Sequence, residues 1–545
     1  MSTEKKQLTQ EELMVQGAAW STAGNFISRL LGVLYIIPWY IWMGQYAIQA
    51  NALFNMGYNV YAYFLLISTT GLNVAIAKQV AKYNSMGQTE HSYQLIRSTL
   101  KLMLGLGLIF SVIMYLGSPL FASLSGGDDT LVPIMHSLSL AVFIFPVMSV
   151  IRGIFQGHNN IKPYAISQIA EQLIRVIWML LTTFLIMKLG SGDYASAVTQ
   201  STFAAFIGMV ASMGVLGYYL WKQGLLAAAI FSKPDHTVSI DIKGLLLETL
   251  KESIPFIVTG SAIQAFQLID QWTFVNTMTL FTDYSRSQLL VLFGYFNANP
   301  AKITMVLIAV AASIGGVGIA LLTENYVKKD MKAAARLIIN NIEMLVMFLL
   351  PALTGAIILA RPLYSVFYGA SEDRAIHLFV AVLFQTLLMA LYTLFSPMLQ
   401  ALFENRKAIY YFAYGILIKL VLQIPLIYLL HAYGPLLATT IALVVPIYLM
   451  YRRLYQVTHF NRKLLQKRLL LTLIETLLMG LVVFVANWLL GYAFKPTGRL
   501  TSLLYLLIIG GVGMTVYTAL TLLTHQLDKL IGSKASRLRQ KLGWH

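Results

Sequence analysis

The chain has 545 residues, 58% of them hydrophobic and 11% charged, with a formal net charge of +17 and a mean hydropathy of +0.70. Soluble domains carry about 25% charged and 45–50% apolar residues, so a soluble fold is excluded, and so is a disordered chain, which needs low hydrophobicity. With no cysteine, disulfides, thiolate metal sites and cysteine nucleophiles are excluded too, which leaves a polytopic membrane protein. Its basic excess, which in a soluble protein would point to nucleic acid, is expected in cytoplasmic loops.

Residues 1–12 are polar and mixed in charge, and the first apolar stretch runs for nearly thirty residues. A signal peptide has an apolar core of only about 7–15 residues, so this segment is expected to stay on the chain. A spanning helix needs about 20 mostly apolar residues. Fourteen segments qualify: 15–43, 47–77, 99–122, 131–155, 163–187, 194–221, 250–278, 288–321, 337–360, 375–402, 408–430, 434–451, 469–492 and 500–524. Alternating ten-residue segments of the β-barrel kind are not seen, so the expected class is all-α. In the eighth span, Asn297, Asn299, Pro300 and Lys302 interrupt the first half, which predicts a broken or cavity-facing helix.

The charges test this division. Of the 39 Lys and Arg, 29 fall in one set of connections, the span ends that border it and the termini, six in the opposite set (Lys188, Arg286, Arg361, Arg374, Lys495 and Arg499), and four well inside spans. A miscounted span would scramble that split, and the positive-inside rule places both termini in the cytoplasm. An internal repeat is visible as well. Val74, Ile76, Ala77 and Tyr83 recur as Val317, Ile319, Ala320 and Tyr326, at a spacing of 243. Gln156, Gly157 and Lys162 are followed by Gln400, Ala401 and Arg406, at a spacing of 244. Six helices separate the copies, so the halves share one orientation, a known transporter design. The expected organisation is an N-terminal lobe over 1–222 (spans 1–6), a second lobe over 223–457 (spans 7–12), and spans 13–14 with a basic cytoplasmic tail over 458–545.

Charges inside a membrane are costly, at least about 2.5–3.5 kcal/mol on insertion scales, and usually face a cavity or a partner. Arg29 lies midway along span 1, Lys302 in span 8 and Lys419 in span 11. Arg29 and Lys302 occupy spans that are central if the repeat holds, which suits a substrate path. Glu171 and Arg175 share a face of span 5 at i,i+4; either they neutralise each other or Glu171 orients Arg175 toward a ligand. Asp270, deep in span 7, reads either as an ion-pair partner or as an ion-coupling group. Lys419 reads either as a cavity residue or as a side chain reaching an interface. Glu343 lies near the cytoplasmic end of its span, an interfacial position, and Arg152 and Lys162 bracket a loop as topology signals. His136 reads as a packed or pore-lining residue. In-span cations outnumber the acids beside them, and a cationic cavity suits an anion; a guanidinium fork suits phosphate.

No phosphate loop, no H-E-x-x-H and no metal-ligand spacing occurs, and no ATPase domain is present, so neither an enzyme nor a cofactor is expected. Transport would run on a gradient, a membrane potential or the substrate itself, with the identity of any coupling ion left open.

Two sets of motifs, Ser28-Arg29-Leu30-Leu31-Gly32 in span 1 and Arg152–Gly157 through Glu171–Arg175 across spans 4 and 5, resemble those of MurJ-type lipid II flippases, in particular their YtgP/SpoVB branch. Ser28-Arg29-Leu30-Leu31-Gly32 is similar to the family's S-R-[VL]-L-G element, and Gly71–Ala77 with Lys82-Tyr83-Asn84 to its span 2 exit. Arg152-Gly153-Ile154-Phe155-Gln156-Gly157, running through Pro163 to Glu171-Gln172-Leu173-Ile174-Arg175, is similar to its R-G-x-x-Q-G…P…E-Q-x-x-R signature. The resemblance covers about residues 15–525. It implies the multidrug/oligosaccharidyl-lipid/polysaccharide (MOP) exporter fold, two six-helix lobes in a V around a cationic cavity. It implies a bacterial plasma-membrane protein that flips an undecaprenyl-pyrophosphate-linked cell-wall precursor by alternating access, in contact with membrane lipids and cell-wall synthesis proteins. Arg29 matches the family's first cavity arginine and Lys302 falls near its span 8 arginine, whereas Tyr35 stands where the family has a second arginine in span 1. Together with Arg175, these cations are the expected pyrophosphate ligands, with Glu171, Asp270 and Lys419 as orienting or ion-coupling groups. The alternatives are a flippase for another lipid-linked glycan, such as a capsule or teichoic acid unit, and a non-transporting cell-wall scaffold.

Overall fold

The computed structural model describes residues 27, 28, 30–69, 76, 79–81, 83, 86–126, 129–158, 160–225, 244, 254–528, 537, 539 and 540, apart from the side chains at 310–312, 314–318 and 320. Among them all regular structure is helical. This follows from the solvent: in hydrocarbon every backbone N–H and C=O must find its partner within the segment. Among the described residues ten stretches are long and apolar enough to cross a bilayer, and parts of the first, second and seventh expected spans lie outside those residues. Two of the ten, Leu30–Thr69 and Asn405–Thr458, each hold two helices around a short 3₁₀ turn.

The chain divides into two compact units, residues 1–291 and 292–545. The first contains α1 (Ile36–Met43), α2 (Ala47–Thr69), α3 (Thr89–Leu124), α4 (Leu131–Gly157), α5 (Ile161–Phe184), α6 (Tyr194–Lys222) and α7 (Ala262–Met278). Gly44 closes α1 at φ +60°, where a side chain is disfavoured, and its N–H returns to Tyr40 O. α6 starts at Asp193, whose carboxylate accepts from the N–H groups of Ala195 and Ser196 at 3.1 Å. The Ser196 hydroxyl also donates to it, and these bonds hold the Asp193 carboxyl below the usual range. α5 and α6 pack along most of their lengths, as do α3 and α4.

α7 docks against α2 and the end of α3 through polar groups. Gln271, fully buried, donates from Nε2 to Met56 O (3.1 Å) and Ser125 Oγ (2.8 Å) and accepts from Asn59 Nδ2 (3.0 Å). Asn276 Nδ2 donates to Leu124 O at 2.7 Å. Sequence reading passed over Gln271, although a signal for its partner exists. Asn51, Asn55 and Asn59 recur every four residues along an apolar span, a polar stripe on one helix face, and all three are buried. His136 is packed: its ring stacks on Tyr115 with centroids 3.9 Å apart.

The second unit begins near the end of α8 (Arg286–Phe293) and contains α9 (Asn299–Val327), α10 (Met331–Ile358), α11 (Ala360–Tyr368), α12 (Asp373–Ala401), α13 (Asn405–Leu430), α14 (Gly434–Thr458), α15 (Arg462–Ala493) and α16 (Arg499–Leu523). The interrupted span 8 keeps its helical path. A π turn at Gly294–Ala298 joins α8 to α9, and α11 ties it down. Asn299 Nδ2 donates to the Tyr364 hydroxyl at 2.6 Å, and the Tyr368 hydroxyl donates to Asn299 O.

α15 is fastened to α10 by an ion pair. Arg468 Nη1 donates to Glu343 Oε2 at 2.8 Å, with Asn340 Oδ1 at 3.0 Å. Glu343 is 1% exposed, which corrects its reading as an interfacial residue: a cation on another helix lets the carboxylate sit inside the bundle. Tyr517 of α16 donates to Met347 O at 2.7 Å. α10, α11, α15 and α16 enclose an apolar recess of about 470 Å³.

Candidate functional site

The charged residues of α4 and α5 meet in the first unit. α4 and α5 run antiparallel around a tight connection, so Arg152 near the end of α4 faces Glu171 and Arg175 on α5. Glu171 is held at both oxygens. Its Oε2 accepts from Arg152 Nη2 at 2.8 Å and its Oε1 from Arg175 Nη2 at 2.6 Å. Arg152 is further bonded to Ser167 Oγ (3.1 Å) and to Ser212 Oγ of α6 (3.0 Å), and its guanidinium carbon lies 5.7 Å from the Tyr164 ring centroid. Helix geometry sets this up: Ser167, Glu171 and Arg175 are successive i,i+4 neighbours on one face of α5. Two guanidinium groups against one carboxylate leave the cluster with one net positive charge.

The cluster borders a polar cavity of about 300 Å³, lined by Ser28 of the first span together with Ser149, Tyr164, Gln168, Gln172 and both arginines. This is the small end of the range for ligand pockets, about 300–1,000 Å³. Gln168 donates to the Tyr164 hydroxyl at 3.1 Å. Gln168 Oε1 and Arg175 Nε are buried with no hydrogen-bond partner among the described residues. The arrangement offers donors to an anion: a guanidinium edge, two amides and hydroxyls.

The structure thus joins Glu171 and Arg175 as the i,i+4 spacing implied, and adds Arg152. Arg152, read as flanking a loop, is 8% exposed and joins the cluster from the end of α4. The motif carried the signal, since the arginine opening R-G-x-x-Q-G falls inside the apolar span 131–155 and not after it. Arg29 lies outside the described residues. Asp270 is buried on α7 beside Gln271. Lys302 is half-buried on α9. Lys419 on α13 is fully buried and donates to Pro435 O at 3.0 Å and to the Thr439 hydroxyl of α14. The offset of 244 that relates Gln156-Gly157 to Gln400-Ala401 also carries Arg175 onto Lys419. By that offset the fifth span of each copy bears a cation in its middle, and Lys419 donates to Pro435 and Thr439.

Gly208 of α6 sets the closeness of α5. A Cβ there would lie 2.6 Å from Glu171 O and 3.2 Å from Arg175 Cβ. Gly208→Ala is expected to push the Glu171–Arg175 turn outward and to destabilise the fold by about 1–3 kcal/mol. Thermal unfolding of the purified variant checks this, and an unchanged midpoint would show that α5 and α6 separate without cost.

A family profile described as polysaccharide biosynthesis protein matches residues 14–324. The chain is 32% identical over 536 residues to a Bacillus subtilis (strain 168) protein named lipid II flippase MurJ, covering 96% of this chain and 97% of that one. In fold it is similar to a solved structure titled lipid II flippase MurJ, inward closed conformation, with a TM-score of 0.65, 16% identity and coverage of 94% and 99%. It is also similar to an inward-facing multidrug resistance MATE family transporter of the MOP superfamily, with a TM-score of 0.57, 17% identity and coverage of 79% and 94%. These two likenesses show a fold shared with a transporter of the MOP superfamily, and the long apolar helices together with the full-length match show a multi-pass membrane protein. The chain belongs to the polysaccharide biosynthesis protein family.

Proposed function

We propose that this protein is a lipid II flippase, which carries a polyprenyl-pyrophosphate-linked peptidoglycan precursor from the inner to the outer leaflet of a bacterial plasma membrane. One observation carries the reading: 32% identity that runs through nearly all of both chains, this one and the Bacillus subtilis protein named lipid II flippase MurJ. The net positive charge of the Arg152–Glu171–Arg175 cluster supports it, because such a cargo brings an anionic pyrophosphate through the bilayer, and guanidinium groups suit phosphate. In this reading Arg29, Arg175 and Lys302 are the anion ligands, Glu171 orients Arg175, and no cofactor takes part. Both termini lie in the cytoplasm, following the 29-to-6 split of basic residues.

Expression in a Bacillus strain depleted of its own lipid II flippase activity tests the reading. Rescue of growth is the expected result. Failure to rescue by a protein that reaches the membrane, with rescue instead of a strain blocked in another lipid-linked glycan, would favour a different cargo. Topology is checked by reporter fusions. Fusions after Trp221 and after Arg468 are expected to report cytoplasm, and one within Asp128–Asp129 the exterior; an exterior signal after Trp221 would contradict the six-span first half.

A further inference from the structure

The two arginines that share Glu171 are not equivalent. Arg152 is anchored by Ser167, Ser212 and the Tyr164 ring in addition to Glu171. Arg175 has Glu171 as its one hydrogen-bond partner among the described residues, through a single Nη2 contact, while its Nε is buried and unused. An arginine fork binds an oxyanion through two parallel donors, so the carboxylate fills only half of what Arg175 offers.

We infer that Glu171 is a resident competitor: its carboxylate occupies the oxyanion seat of Arg175 until a phosphate-class anion displaces it, and Arg152 keeps the displaced carboxylate neutralised. The inference rests on Arg175 as an anion ligand, as proposed above. Its physical basis is the division of the two oxygens. A buried carboxylate stripped of its partner is strongly destabilising, but Oε2 stays on Arg152 at 2.8 Å when Oε1 leaves Arg175. The exchange replaces one contact at Arg175 by a two-donor fork that also employs Nε. Net charge then assists the ligand, since two guanidinium groups remain for the carboxylate and the incoming anion.

This arrangement gives variants of opposite sign. Glu171→Gln keeps the side chain's shape and removes the competitor's charge, so anion affinity rises. Arg152→Gln leaves Glu171 dependent on Arg175 alone, so the carboxylate holds the seat harder and affinity falls. Arg175→Gln removes the seat. A triad that serves only to position Arg175 predicts that both of the first two variants weaken binding.

The experiment is calorimetric binding of inorganic pyrophosphate to the purified full chain in detergent, and of polyprenyl pyrophosphate to the same chain in nanodiscs. A charge-assisted hydrogen bond contributes enough for about a tenfold change in each direction: tighter for Glu171→Gln, weaker for Arg152→Gln, with binding lost for Arg175→Gln. Binding of both probes assigns the seat to the lipid's own headgroup, and binding of the inorganic ion alone assigns it to a soluble anion. Weaker or unchanged binding by Glu171→Gln overturns the competitor, and does so even where Arg152→Gln fails to fold. Wild-type affinity in Arg175→Gln overturns the underlying ligand assignment instead, and a wild type that binds neither probe overturns the seat itself.

Discussion

Alanine at Arg29 and alanine at Lys302 are each expected to abolish complementation of a flippase-depleted strain while the protein remains present in the membrane. A charged donor to a phosphate contributes about 1.5–3 kcal/mol, which corresponds to about a 10- to 150-fold loss of transport. Arg29→Lys is expected to recover part of the activity, because lysine restores the charge but not the planar fork. Growth assays with membrane quantification decide it. Full activity of both alanine variants would remove the pyrophosphate assignment from these two spans, and would leave the α4–α5 cavity as the anion site.

The second large effect is on stability. Arg468→Ala leaves Glu343, 1% exposed on α10, without the guanidinium now bonded to it at 2.8 Å. Removing one member of a buried pair costs about 3–5 kcal/mol, whereas replacing both members by apolar groups is often neutral. Arg468→Ala is therefore expected to lower the unfolding midpoint sharply, and Glu343→Leu in the same chain to restore most of it. Unfolding of the single and double variants in detergent measures both. A double variant no more stable than Arg468→Ala would show that the pair matters for packing and not for charge.

Hydropathy made the span cores legible and left their ends and partners hidden. Spans 131–155, 194–221 and 434–451 correspond to Leu131–Gly157, Tyr194–Lys222 and Gly434–Thr458. Hydropathy starts the third at 99, but α3 starts at Thr89, because Glu90 and Arg97 in its first turns lower the local hydropathy without ending the helix. α11 was absorbed into a connection, since nine amphipathic residues are too few to register as a span. Asn297, Asn299 and Pro300 marked an irregular stretch correctly, but a π turn secured by two tyrosines is a tertiary solution that no single helix shows.

The candidate site divides the same way. Glu171 and Arg175 were found by spacing, which is local. Arg152 reads as loop-flanking and Glu343 as interfacial when each helix is considered alone, and neither reading reveals a buried partner. Each is buried because of a group on another helix, Glu171 of α5 for one and Arg468 of α15 for the other. The equivalence of Arg175 and Lys419 in the repeat was available in the sequence. Only the structure shows that the second cation donates to Pro435 and Thr439.

Transport of lipid II between leaflets is tested most directly in a strain that depends on this protein for growth. The protein is depleted rapidly, and the share of lipid II open to an externally added cleaving enzyme is followed over time. The expected result is a fall in the externally cleavable share as lipid II accumulates on the inner leaflet, before cell lysis. Lipid II that stays accessible from outside while a different lipid-linked glycan accumulates inside would contradict it.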